Sequence, residues 1–169
     1  MTPPRGSVEI SFLADRPECI PELAPWLHAE WGWFTPESVL SDRVAKLREH
    51  LNRDQLPLAL VAHANGVLLG TAALRALDMD TRVELTPWLA AVYVTPPARG
   101  RGVGARLVAR IEAEARRLGF RIVHLVTFDK ARYYAKRGWE ELERTSYRDE
   151  PVVVMRKALA APETIATRQ

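Results

Sequence analysis

Apolar positions along this chain switch between two periods. Val8 to Leu13 alternates at close to two, the pattern of a strand with one buried face. From Pro17 to Trp31, Ile20, Leu23, Leu27 and Trp31 recur at spacings of three and four, which predicts an amphipathic helix. Gly32 and Thr35-Pro36 interrupt it. Thr35 is placed to cap a second helix with Pro36 at its first position and Leu40, Val44, Leu47 and Leu51 as its stripe. Leu58 to Ala64 and Val67 to Leu77 are apolar runs joined by Asn65-Gly66, whose tolerance of positive φ predicts a tight hairpin.

Asp78 to Glu84 is a polar connection, and Leu85 to Val94 is a further strand with Pro87 near its start. Gly102 to Leu118 carries Val103, Leu107, Val108 and Ile111 on one helical face and is stopped by Gly119. Ile122 to Val126 is apolar enough for a central strand. Lys130 to Arg137 predicts a short helix ended by Gly138, and Trp139 to Thr145 and Val152 to Met155 the last strands. Ala158 to Gln169 has little to pack and is expected to be a mobile tail, leaving 1–157 as one domain. The order gives an α/β (α+β) domain with a mixed, partly antiparallel sheet and no internal repeat.

Composition narrows the class. The 169 residues are 47% hydrophobic and 27% charged, as expected of one soluble globular domain. No apolar run approaches the ~20 residues of a membrane span, and Met1 to Ser7 lacks a signal-peptide core. The expectation is a cytoplasmic protein without a membrane partner. A net charge of +3 suits an anionic ligand, but no dense basic stripe or motif points to nucleic acid. The single cysteine, Cys19, excludes an intrachain disulfide and reads as a small apolar helix residue rather than a catalytic thiol. The four histidines are scattered without zinc-ligand spacing, so no metal is expected.

The segment from Val92 to Ala105, Val-Tyr-Val-Thr-Pro-Pro-Ala-Arg-Gly-Arg-Gly-Val-Gly-Ala, carries the candidate chemistry. A strand ends, a turn follows and a helix begins. Helix N-termini present unpaired N–H groups and the positive end of the macrodipole. Gly100, Gly102 and Gly104 lack a Cβ that would block an anion, and Arg99 and Arg101 add charge. The arrangement reads as a pyrophosphate cradle. No Gly-Lys-Ser/Thr follows, which excludes a Walker loop. Gly100, Gly102 and Ala105, with Asp129 after the next strand, do satisfy a loose dinucleotide fingerprint. Against a nicotinamide- or flavin-dependent oxidoreductase stand the hairpin before the turn and the short chain left for a doubly wound fold.

Arg99-x-x-Gly102-x-Gly104, between an apolar strand and an amphipathic helix, resembles the Arg/Gln-x-x-Gly-x-Gly/Ala signature of the GNAT N-acetyltransferases. Tyr133-Tyr134-Ala-Lys-Arg-Gly138-Trp139-Glu140 resembles that family's second motif, with Tyr and Trp where Phe is common. The resemblance spans roughly Val8 to Lys157. It implies a single GNAT-type domain: a mostly antiparallel sheet of about seven strands, a splayed central parallel pair and about four flanking helices. It also implies acetyl-CoA as cosubstrate, no metal, and direct transfer to a primary amine of a small molecule or peptide (N-terminus or lysine), by a monomer or homodimer. A non-catalytic acyl-CoA sensor of the same fold is the other reading.

By the same resemblance, Val92, Tyr93 and Val94 hold the pantetheine arm beside a bulge, and Arg99, Gly100, Arg101, Gly102, Val103, Gly104 and Ala105 hold the pyrophosphate. Tyr134 is the expected acid for the leaving thiolate, and Tyr133 a packing neighbour. Glu84 is the candidate base, with Glu30 as another and Asp78 and Asp80 behind them. Acceptor contacts are expected from Glu30, Trp31 and Trp33, within an aromatic stretch, Trp26 to Phe34, that serves pocket or core. Glu30-Trp31, Leu56-Pro57-Leu58 and the short loop before Tyr133 are similar to the actin N-terminal acetyltransferase branch, which brings in a peptide α-amine.

Overall fold

The computed structural model describes residues 6–160. In chain order the elements are β1 (Glu9–Phe12), α1 (Ile20–Trp31), α2 (Leu40–Glu49), β2 (Leu58–Ala64), β3 (Val67–Arg75), β4 (Trp88–Val94), α3 (Val103–Arg117), β5 (Ile122–Thr127), α4 (Ala131–Ala135), β6 (Glu140–Tyr147) and β7 (Glu150–Ala158). One seven-stranded sheet has the order β1-β2-β3-β4-β5-β7-β6. Every neighbouring pair is antiparallel except β4–β5. The single parallel pair excludes the doubly wound sheet that a dinucleotide-binding reading requires. No described helix is long and apolar enough to cross a membrane.

The alternation along β2 builds the layers. Leu58, Leu60 and Ala62 join Val103, Leu107 and Ile111 of α3 on one face. Ala59 and Val61 join Leu23 and Leu27 of α1 and Leu47 of α2 on the other. Both faces of the strand therefore find apolar partners, with His63 bonded to the Ser11 hydroxyl at 2.8 Å, and β2 is buried along its whole length. Each fully buried leucine contributes about 1.5–3 kcal/mol.

The parallel pair is short. Trp88 and His124 are its only registered partners, with the His124 N–H donating to the Pro87 carbonyl at 2.9 Å. Trp88 is fully buried and packs tilted against the His124 ring, 5.7 Å between centroids, which plugs this end. Beyond it β4 is held by β3 and β5 by β7, so the strands diverge. On β4, Ala91 and Val92 together oppose Ala72, since Ala90 faces Ala73 and Tyr93 faces Thr71. Ala91 takes φ 52°, which marks a bulge that turns the second half of the strand.

Several boundaries differ from expectation. The second helix starts at Leu40, not Pro36. Thr35 closes only a turn, with Ser38 N–H donating to its carbonyl, while the Asp42 carboxylate takes the Val39 N–H at 2.8 Å and fixes the true start. The strand expected from Leu85 begins at Trp88, after Pro87, which has no N–H for a ladder. Ala158 and Leu159 belong to the fold, not to a tail: Ala158 pairs with Ile122, and Leu159 is buried with its N–H on the Arg121 carbonyl. The rest of the expected tail, 161–169, lies outside the described residues, as do 1–5.

Candidate active site

The turn after β4 is open to an anion. Gly102 is the N-cap of α3 and, like Gly100, has positive φ (81° and 77°), which points successive peptide N–H groups the same way. Among the described residues, the six N–H groups from Gly100 to Ala105 have no backbone acceptor; the next, Arg106, closes the helix on the Gly102 carbonyl at 3.0 Å. A Cβ at Gly104 would lie 3.5 Å from the Tyr133 hydroxyl and from Val94, narrowing the mouth of the cleft. Arg99 donates from Nε to the Val94 carbonyl at 2.9 Å, and its guanidinium lies 5.7 Å from the Tyr93 ring centroid. These groups line a cleft of about 620 Å³ with Val92, Tyr133 and Arg137. Such a row of amides at a helix N-terminus fits a diphosphate.

The gap between β4 and β5 opens into a second cavity of about 410 Å³, walled by Leu89 to Val92, Val126 to Asp129, Phe34 and Tyr147. Glu30, Val92, Asp129, Lys130 and Tyr134 line both spaces and mark where they meet. Tyr134 sits on α4 with 8% of its surface exposed. Its ring is wedged edge-on between Tyr133 (5.1 Å) and Trp139 (5.9 Å). Burial above all, then Tyr133, pushes its phenol far above the ordinary tyrosine range, with Arg137 opposing weakly. The hydroxyl is therefore a proton-bearing donor throughout the physiological range.

The model of the Acetyltransferase (GNAT) family matches residues 20–139. The chain belongs to the GNAT acetyltransferase family. It is 35% identical over 133 residues, 74% of its length, to N-alpha-acetyltransferase 80 of Mus musculus, and the matched region spans 39% of that protein. Its fold is similar to aminoglycoside 6′-acetyltransferase type Ii, with a TM-score of 0.71 at 21% identity, covering 92% of this chain and 99% of that one. It is also similar to YncA of Salmonella typhimurium, described as a putative acetyltransferase with its cofactor acetyl-CoA, with a TM-score of 0.69 at 21% identity and coverage of 95% and 99%.

Within this GNAT fold the expected site residues separate. Val92, Tyr93, Val94, Arg99, Gly100, Gly102, Val103, Gly104 and Ala105 converge on the larger cleft. Arg101 is exposed and does not line it. Glu84 is misplaced for a base. It lies on an exposed turn before the closed Trp88–His124 end of the pair and lines neither cavity. Asp80 also lines neither. Glu30 is at the junction, on the last turn of α1.

The aromatic stretch divides. Trp26 packs against the α1–α2 core and on Tyr93 at 5.9 Å. Trp31 touches that core, meets Tyr93 edge-on at 6.5 Å and also walls the smaller cavity. Trp33 is 54% exposed and faces neither space; it buttresses Phe34 and Phe128, which do line the cavity.

Sequence reasoning missed Asp129 as a carboxylate at the junction, and missed Arg43, Lys46 and Arg75, which line the smaller cavity and not the larger one. Arg43 and Lys46 are one helical turn apart on the polar face of α2, the one local signal available.

Proposed function

We propose that this GNAT domain transfers an acetyl group from acetyl-CoA directly to a primary amine. The observation that carries the proposal is the row of unpaired amides from Gly100 to Ala105 beside a splayed, bulged strand pair. Acetyl-CoA supplies a thioester whose carbonyl carbon an amine can attack. Gly100 and Gly102 to Ala105, with the Arg99 charge, hold the diphosphate; Arg101 adds only distant charge. The β4 edge facing β5 has a ladder partner only at Trp88, so Val92, Tyr93 and Val94 offer main-chain groups to an extended pantetheine arm. An N–H on that edge also polarises the thioester oxygen.

The amine enters from the smaller cavity. Glu30 stands where the two spaces meet and takes the proton that the nitrogen sheds; Asp129 is the other carboxylate in reach of that junction. Tyr134 donates its hydroxyl hydrogen to the sulfur as negative charge builds there. The products are an amide and a free thiol; as they leave, Glu30 releases its proton to solvent and the Tyr134 oxygen takes one back, so that the net change is one proton moved from nitrogen to sulfur. The similarity to an N-alpha-acetyltransferase supports an amine acceptor.

Two measurements test the proposal. Acetyl-CoA should raise the unfolding temperature where NAD(H) does not. A panel of polyamines, aminoglycosides, amino acids and peptides should yield free thiol with at least one member. Stabilisation by NAD(H) alone would overturn the assignment, and binding without thiol release across the panel would indicate a sensor.

A further inference from the structure

The smaller cavity carries cations, absent from the lining of the larger one, that the transfer chemistry does not use. Arg43 and Lys46 of α2 and Arg75 at the end of β3 all line it. Arg75 is engaged: Nη1 donates to Asp78 at 2.9 Å, and Nε donates to His50 Nε2 at 2.9 Å. His50 is 1% exposed, and because Nε2 accepts, its Nδ1 donates to the Lys46 carbonyl at 2.7 Å. The histidine is thus a neutral strut that fixes Arg75 against α2.

Arg43 and Lys46 have no carboxylate partner among the described residues. Arg43 Nε is buried without any hydrogen-bond partner. A buried donor left unmet is costly, and it shows that the Arg43 guanidinium, which lines the cavity, is not already committed to a protein acceptor through that atom. Burial first, then the Arg75 charge, depresses the proton affinity of both groups, so an anion would relieve each of them. Asp78, already tied to Arg75, is the acid within the group, which leaves it net positive.

Resting on the acetyl-transfer reading above, we infer that the acceptor amine carries a carboxylate, seated between Arg43, Lys46 and Arg75 while the nitrogen lies near Glu30 and Tyr134. The planar fork of a guanidinium matches the paired oxygens of a carboxylate, and an ammonium adds a point charge beside it. A volume of about 410 Å³ suits an amino acid or the first residues of a peptide. The carboxylate has two sources: the α-carboxylate of a free amino acid, or the acidic side chain of a peptide's first residue.

The test compares kcat/KM within matched pairs. L-alanine against L-alaninamide reports the α-carboxylate; Glu-Ala-amide against Gln-Ala-amide reports the side chain. One of the pairs should favour the charged member by roughly tenfold or more, and that pair names the source. Arg43→Met and Lys46→Met each keep an apolar stem and should pull that ratio toward one, with acetyl-CoA affinity as the check on folding. Lys46→Glu should invert it. If acetyl-CoA binds and amines react with no preference for either carboxylate, or with a preference unmoved in all three variants, the inference is overturned and the transferase reading stands. If acetyl-CoA does not bind the wild-type protein, the transferase reading itself has failed.

Discussion

Replacing Tyr134 with Phe separates catalysis from packing at one atom. The ring is held between Tyr133 and Trp139, and Phe keeps both edge-on contacts. What is lost is a hydroxyl at the junction of the two cavities. Stability should move by under ~1 kcal/mol, since the hydroxyl faces cleft space rather than a core partner. Turnover should fall much further. A placed proton donor is typically worth ~10²–10⁴ in rate, which converts to roughly 3–5 kcal/mol of barrier. Because burial raises the phenol, the wild-type kcat profile should show no limb from this group between about pH 6 and 9. The assay is thiol release at saturating acetyl-CoA and amine, with acetyl-CoA affinity measured separately by calorimetry. A variant whose kcat stays within about twofold of wild type, or whose loss lies wholly in acetyl-CoA affinity, refutes the donor role.

Other outcomes follow from the same geometry. At Gly102 a Cβ meets nothing within 4 Å, so Gly102→Ala should cost only the ~1–2 kcal/mol of a left-handed backbone, read by urea unfolding. Gly102→Glu should lower acetyl-CoA affinity at least ~tenfold beyond the Ala variant, because it sets a carboxylate at the cradle; equal affinities would contradict this. Glu30→Gln should reduce kcat/KM for the amine about 10- to 100-fold with acetyl-CoA affinity retained, and a silent variant would move the base to Asp129.

Burial, reinforced by Arg75, lowers His50 from about 6.5 to about 4. Its neutral form therefore favours folding above pH 6.5, and up to about 3 kcal/mol of stability is lost as pH falls from 6.5 through 4. The ring should titrate below pH 5 by NMR; a midpoint near 6.5 would disprove the buried neutral strut.

What local sequence encodes was legible, and what long-range register decides was not. Asn65-Gly66 announced the β2–β3 hairpin, and the spacing of Val103, Leu107 and Ile111 announced the face α3 buries. The Gly100–Gly104 turn could be read because the unpaired amides of a helix start follow from its residues alone. Glu84 was misjudged because only the Trp88–His124 register shows which end of the parallel pair is shut. Thr35 looked like a cap by its own chemistry, but Asp42, seven residues later, takes the Val39 amide instead. Arg43, Lys46 and Arg75 escaped notice because they come together only when the first half of the sheet and α2 have folded. Trp33 showed the opposite error: an aromatic close in sequence to the pocket can serve as its outer support.

The main-chain amides between β4 and α3 are the decisive contact of the proposed acetyl-CoA site. In a ¹⁵N-labelled sample, titration with acetyl-CoA should shift the amide resonances of Gly100 and Gly102 to Ala105 downfield as a group, with the same saturation point as the heat of binding. Saturable binding that leaves those resonances where they were would show that the ligand's diphosphate sits elsewhere.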